Sequence, residues 1–228
     1  MRRGSEEIVR GIYLIGGPNV TQADDAAVYL IDFSGKLVLI DAGAGGSSSQ
    51  LVRNIEMLGL DPHSLSHVIL THCHIDHIGS APFFREKYGA ELVIHDLDAK
   101  ALETGDSART AADWYGATFP PTKIDRKLTG AEEILSFSPE ELHCLHTPGH
   151  TPGSISVYLD RDGQRVLFGQ DIHGPFNRAF GSDLSTWRKS MQALLALDAD
   201  ILCEGHFGVY SPKSRVRAYI EHYLEEYE

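Results

Sequence analysis

Five segments of this chain end in polar residues flanked by glycine: "LIDAG", "THCHIDHIG", "HTPGHTPGS", "GQDIHG" and "EGH". Each follows a short apolar run of the kind that forms a buried strand. Loops at the ends of strands can converge on one site, so any fold for this chain must gather these strands with their polar ends together.

The remaining pattern supplies the strands and their partners. "IVRGIYLI" and "AAVYLIDF" read as strands, and "KLVLIDAG" follows the turn "SGK" as a third, which suggests an antiparallel start. "SSSQLVRNIEMLGL" places Leu51, Ile55 and Leu58 at helical spacing behind a serine cap. "SHVILTH" returns to strand, "GSAPFFREKYGA" reads as helix, "ELVIH" as strand and "DLDAKALE" as a short helix. Later, "EEILSF", "LHCLHT", "SISVYLD" and "RVLFGQD" are strand-like, with "RDG" as a hairpin turn. A helix over about residues 185–197 puts Trp187, Met191, Leu194 and Leu195 on one face, and "ADILCEGH" is a last short strand. The closing helix "PKSRVRAYIEHYLEEYE" buries Val216, Tyr219, Ile220, Tyr223 and Tyr227 by its periodicity. Strands followed by helices in each half predict two sheets packed face to face with helices outside. No low-complexity linker separates the halves, so residues 1–228 are expected to share one core as a single domain.

Composition narrows the function classes. Charged residues make up 23% and hydrophobic residues 42% of the 228, as in an ordinary soluble globular protein. No stretch approaches the roughly 18 uninterrupted apolar residues of a membrane span. Arg2 and Arg3 open the chain as a signal peptide would, but Glu6, Glu7 and Arg10 interrupt its apolar segment, so a cytoplasmic location is expected. Cys73, Cys144 and Cys203 are odd in number and widely spread, which fits free thiols rather than a disulfide framework. The formal net charge of −12 argues against a nucleic-acid partner.

Histidine is the unusual component, with 12 copies. In an extended segment His72 and His74 point to the same side and can bind one ion. The chain turning into the following helix can aim Asp76 and His77 at a neighbouring point. With His150, Asp171 and His206 from the later segments, this makes a set of ligands suited to a divalent cation of intermediate softness.

The T-H-x-H-x-D-H signature with ordered downstream His, Asp and His resembles the metallo-β-lactamase superfamily, in its glyoxalase II and lactonase-like branch. The resemblance runs from "LIDAG" to "EGH". It implies an α/β fold, a four-layer αββα sandwich of two mixed β-sheets. It also implies a first metal on His72, His74 and His150, a second on Asp76, His77 and His206, and Asp171 bridging both. Asp41 matches the family aspartate that orients the ligand loop without binding metal. Zinc is the first choice for the two divalent ions, with iron or manganese compatible with the same ligands.

The activity implied is that of a metal-dependent hydrolase, in which a metal-bridging hydroxide cleaves a small ester, thioester or lactone and Asp76 shuttles a proton to the leaving group. The aspartate at 171, where the β-lactamase branch often has cysteine, disfavours antibiotic hydrolysis. Phosphodiesterase or β-lactam hydrolase activity stays as an alternative. So does a mononuclear iron persulfide dioxygenase that would use His72, His150 and Asp171. The partner expected is a small-molecule substrate, with no nucleic acid and no membrane; the tyrosine-bearing closing helix is a surface for a homodimer. Residues 104–122 form either a lid or an ordinary connection. Trp114 and the stretch Phe176 to Phe180 are expected to line an apolar pocket, and His173 is expected to face substrate or support a ligand.

Overall fold

The computed structural model describes residues 4–228; Arg2 and Arg3 lie outside them. The first sheet has seven strands in sequence order: β1 (Glu6–Val9), β2 (Ile12–Gly16), β3 (Val28–Phe33), β4 (Lys36–Ile40), β5 (Leu65–Ile69), β6 (Glu91–His95) and β7 (Arg126–Leu128). β1 to β4 pair antiparallel, and β4 to β7 pair parallel. The parallel crossovers carry α1 (Ser48–Met57), α2 (Ile75–Ile78), α3 (Ala81–Tyr88) and α4 (Asp96–Thr104). The second sheet has the order β13-β12-β11-β10-β9-β8. Its members are β8 (Glu132–Phe137), β9 (Glu140–His146), β10 (Ile155–Arg161), β11 (Gln164–Gln170), β12 (Ile201–Glu204) and β13 (Val209–Tyr210). Only β11 and β12 pair parallel, through the crossover helix α5 (Leu184–Ala196); α6 (Lys213–Glu226) closes the chain.

Period-two alternation assigns each strand residue to a layer. Val38 and Ile40 enter the core between the sheets, whereas Leu37 and Leu39 face α1, α3 and α4. In the second sheet Val166 and Phe168 face the same central core, while Leu167 faces α5 and α6 with Trp187, Met191 and Val216. Both faces of the central strands are therefore buried, which explains why β4 and β11 read as continuous apolar runs. The outcome is a four-layer αββα sandwich of two mixed sheets, as the sequence predicts.

Several local expectations change. "IVRGIYLI" is a hairpin of β1 and β2 around a turn at Arg10–Gly11, where Gly11 takes a positive φ of 73°. Ser47 precedes α1 but caps nothing; its hydroxyl donates to buried Asp25 instead. On α6 only Val216, Tyr219 and Ile220 are buried, and Tyr223 and Tyr227 are partly exposed. Among the described residues no helix is long and apolar enough to cross a membrane.

Phe168 packs edge-on against Tyr29 across the sheets, with ring centroids 5.4 Å apart, and both are fully buried. Phe168→Ala is expected to destabilise the fold by about 3–5 kcal/mol, measured as a lower urea midpoint at unchanged slope.

Candidate metal centre

All seven sequence-predicted residues meet at one edge of the sandwich, in loops that follow the C-terminal ends of β5, β9, β11 and β12. They form two groups. His72, His74, His150 and Asp171 place their ligand atoms within 4.8 Å of one another, and so do Asp76, His77 and His206. His72 and His74 lie in the loop after β5, and Asp76 and His77 sit on the single turn of α2. The first group straddles the two sheets, with His72 and His74 supplied by one and His150 and Asp171 by the other.

Distances within the groups fit a cation. His74 Nδ1 is 3.1 Å from His72 Nε2 and 2.9 Å from His150 Nε2. Asp171 Oδ2 lies 3.8 Å from His72 Nε2 and 3.6 Å from His150 Nε2. The other oxygen, Oδ1, is 3.2 Å from both His77 Nε2 and His206 Nε2. Asp76 Oδ2 is 3.7 Å from His77 Nε2 and 3.5 Å from His206 Nε2. Ligands held about 2.0 Å from a tetrahedral ion would be separated by about 3.3 Å. Moreover, His77 Nε2 and Asp171 Oδ1 are buried without a hydrogen-bond partner, a costly state unless something else satisfies them.

The outer faces of the rings set their tautomers. His150 Nδ1 donates to the Pro175 carbonyl at 2.8 Å, and His77 Nδ1 donates to Asp41 Oδ2 at 2.6 Å, leaving Nε2 of each directed inward. Burial, reinforced by the neighbouring imidazoles, lowers the pKa of His72 and His74 well below the ordinary value and that of His150 to about 4. These three are neutral at pH 7 and ready to ligate. In the second group burial opposes protonation, but Asp171, Asp76 and Asp41 outweigh it and raise His77 well above its ordinary value; against the same burial, Asp171 raises His206 above its ordinary value. For Asp171 burial favours the neutral acid, yet His77 and His206 hold its pKa well below the carboxylate range.

A family model of the metallo-beta-lactamase superfamily matches residues 22–206. The chain belongs to that superfamily. It is 36% identical over 126 residues to a probable metallo-hydrolase of Methanocaldococcus jannaschii, a match spanning 55% of this chain and 58% of that protein. It is 31% identical over 176 residues to the hydroxyacylglutathione hydrolase of Haemophilus influenzae, covering 73% of this chain and 78% of that one. It is also 27% identical over 234 residues to an acyl-coenzyme A thioesterase of Gallus gallus, covering 91% and 81%. Among solved structures, a metallo-beta-lactamase from Cronobacter sakazakii superposes with a TM-score of 0.85 at 21% identity, over 99% of this chain and 93% of that one, which shows the shared fold.

The superfamily scaffold is braced here by carboxylates outside the two groups. Asp41, at the end of β4, accepts from Thr71 N and Thr71 Oγ1, each at 2.8 Å, besides His77 Nδ1 and Gln170. Asp98 on α4 is fully buried, and sequence reasoning misses it. Its Oδ2 accepts from Cys73 N at 3.1 Å and Thr151 Oγ1 at 2.6 Å, and its Oδ1 from Gly153 N at 2.9 Å. Cys73 lies between His72 and His74, and Thr151 follows His150, so one side chain ties together the two histidine loops of the first group. A Cβ on Gly153 would come within 2.6 Å of Asp98 Cγ, which explains glycine there. Cys73 itself is buried with Sγ 3.3 Å from the Arg109 carbonyl, away from the ligand atoms.

Glu204 of "EGH" is missed in the same way. It is fully buried: Oε2 accepts the His206 and Phe207 amides, each at 2.6 Å, and Oε1 accepts His173 Nδ1 at 2.5 Å. His173 thereby borders the open cavity over the centre, together with His74, Asp76, Trp114, Tyr115, Phe180 and Phe207. Phe176 does not line it; its ring packs on Trp187 and Tyr227 at 5.1 and 4.9 Å.

Two outcomes are expected. Replacing Asp98 by Asn should weaken zinc affinity by about 10–100-fold in competition with a chromophoric chelator, and unchanged affinity would mean the loops hold themselves. Zinc titrated into metal-free protein should load the first group at pH 7 without displacing histidine protons. Loading of the second group is expected to displace a proton from His77, whose pKa the neighbouring carboxylates raise well above the ordinary value, so its affinity climbs with pH until that proton is lost. Calorimetry in buffers of different ionisation enthalpy checks this; equal proton release in both steps would contradict it.

Proposed function

We propose that this chain is a dinuclear metal-dependent hydrolase of small esters, thioesters or lactones, with zinc as its first-choice metal and residues 1–228 acting as one domain. In this assignment His72, His74 and His150 hold one ion, Asp76, His77 and His206 the other, and Asp171 serves both. The observation that carries it is the division of Asp171: one oxygen faces the first group and the other faces the second. The names of the Haemophilus and Gallus relatives support thioester or ester cleavage as the reaction type.

When bound, the two ions would lower the pKa of water towards about 7 and stabilise negative charge developing on an attacked carbonyl. The chain's own residues supply the rest. Asp76 lines the open cavity, where its carboxylate would be placed to pass a proton to a leaving group. Tyr115 borders the same cavity; burial and the adjacent Asp76 raise its pKa, so its hydroxyl stays a donor beside that carboxylate. Glu204 fixes the His173 ring at the cavity edge. The persulfide dioxygenase alternative would leave His74 and the whole second group without a role.

Protein purified without added chelator is expected to carry about two metals per chain, one for each ligand group. His72→Ala is expected to abolish ester and thioester hydrolysis and lower the metal content. Hydrolysis that survived complete metal removal would refute the assignment.

A further inference from the structure

We propose that the substrate's acyl part is uncharged and apolar, seated in an aromatic mouth of Trp114, Tyr115, Phe180 and Phe207 beside the metal centre. This deepens, and rests on, the hydrolase assignment above. The cavity over the centre holds about 320 Å³, enough for a small acyl group. Phe180 forms its apolar wall, with its ring 4.4 Å from His74 and 4.8 Å from Trp114. Trp114 is 62% exposed and Phe207 57%, although both are large and apolar. Large apolar side chains left open around a concave site mark a binding surface.

Charge decides the substrate class. Among the described residues, no lysine or arginine lines this cavity or the adjoining one of about 360 Å³, which shares His206 and Phe207. Apart from histidines, the described ionisable residues lining them are Asp76, Asp171, Glu6, Tyr29 and Tyr115. Arg109, whose charge is felt at His74, lies 4.0 Å from buried Asp98, and Arg178 is exposed on the turn before Phe180 without lining either cavity. A distal carboxylate, phosphate or sulfonate is held in proteins by Arg or Lys, singly or in pairs. Here such a group would find none lining either cavity among the described residues and would meet a protein of net charge −12. The glutathione and coenzyme A in the names of two relatives are the thiol halves of thioesters, so the inference, which concerns the acyl half, leaves the leaving group open.

A matched pair of 4-nitrophenyl esters tests the assignment on the zinc-loaded enzyme: the butyrate, and the hemisuccinate with the same four-carbon acyl chain ending in a carboxylate. The butyrate is expected to have a kcat/KM at least about tenfold higher, and Trp114→Ala is expected to raise KM for butyrate more than it lowers kcat. A readout without turnover uses the fluorescence of Trp114, because the other tryptophan, Trp187, is only 2% exposed. 4-Phenylbutan-2-one should quench it at concentrations about tenfold below those of its ring-sulfonated analogue. Equal or better binding and turnover of the anionic member of each pair would overturn the inference. Selective binding of the neutral ketone with no hydrolysis of any ester would instead overturn the hydrolase assignment and leave the pocket's selectivity supported.

Discussion

The site depends on a carboxylate that binds no substrate and belongs to neither ligand group. Asp41 is fully buried at the end of β4, and its backbone takes a positive φ of 61°, a conformation that aspartate tolerates better than most residues. A buried charge is tolerable only when fully hydrogen-bonded, and Asp41 receives donors from Thr71, His77 and Gln170. Thr71 leads into the histidine loop, His77 stands in the second group, and Gln170 immediately precedes Asp171. One desolvated anion thus fixes three approaches to the centre, and the strands carrying them cannot shift independently without leaving it unpaired.

The same principle recurs around the centre with different partners. Asp98 gathers the His72–His74 and His150 loops, and Glu204 gathers the His206 turn and the His173 ring. Each ligand loop is held by a buried acid: Asp41 and Asp98 reach theirs from other parts of the chain, and Glu204 braces its own turn. The ligand groups themselves are unbalanced: the first gathers three imidazoles around one oxygen of Asp171, and the second gathers His77 and His206 around Asp76 and the other oxygen of Asp171. Two ions of the same kind would therefore enter electrostatically different places.

Much of this is legible in the sequence, because the chemistry sits in contiguous words. "THCHIDHIG" supplies four of the seven groups within one loop and one helical turn, and strand alternation assigns the layers directly from "KLVLI" and "RVLFG". What escapes depends on long-range contact. Asp98 stands in an ordinary amphipathic helix and is distinguished only by Cys73, Thr151 and Gly153, which lie 25 or more residues away. Ser47 reads as a cap because serine before a helix usually is one; Asp25 competes for the hydroxyl, and nothing local announces it. β7 and β13 are too short to show a period, being three and two residues long. Phe176 and Phe180, four apart in one loop, part company because Phe176 finds Trp187 and Phe180 finds His74.

The first ligand group straddles the seam of the sandwich, where backbone bonds from Ala27 to Gly205 and from Ile155 to Thr71 already join the two sheets. An ion held by His72 and His74 on one side and by His150 and Asp171 on the other would act as a rivet through both plates. Prying the sheets apart would then require releasing the ion, and the free energy of holding it would be added to the cohesion of the central core. On the proposed assignment, catalytic competence and mechanical integrity would be secured by the same few atoms, so a chain that lost its cargo would also loosen its frame.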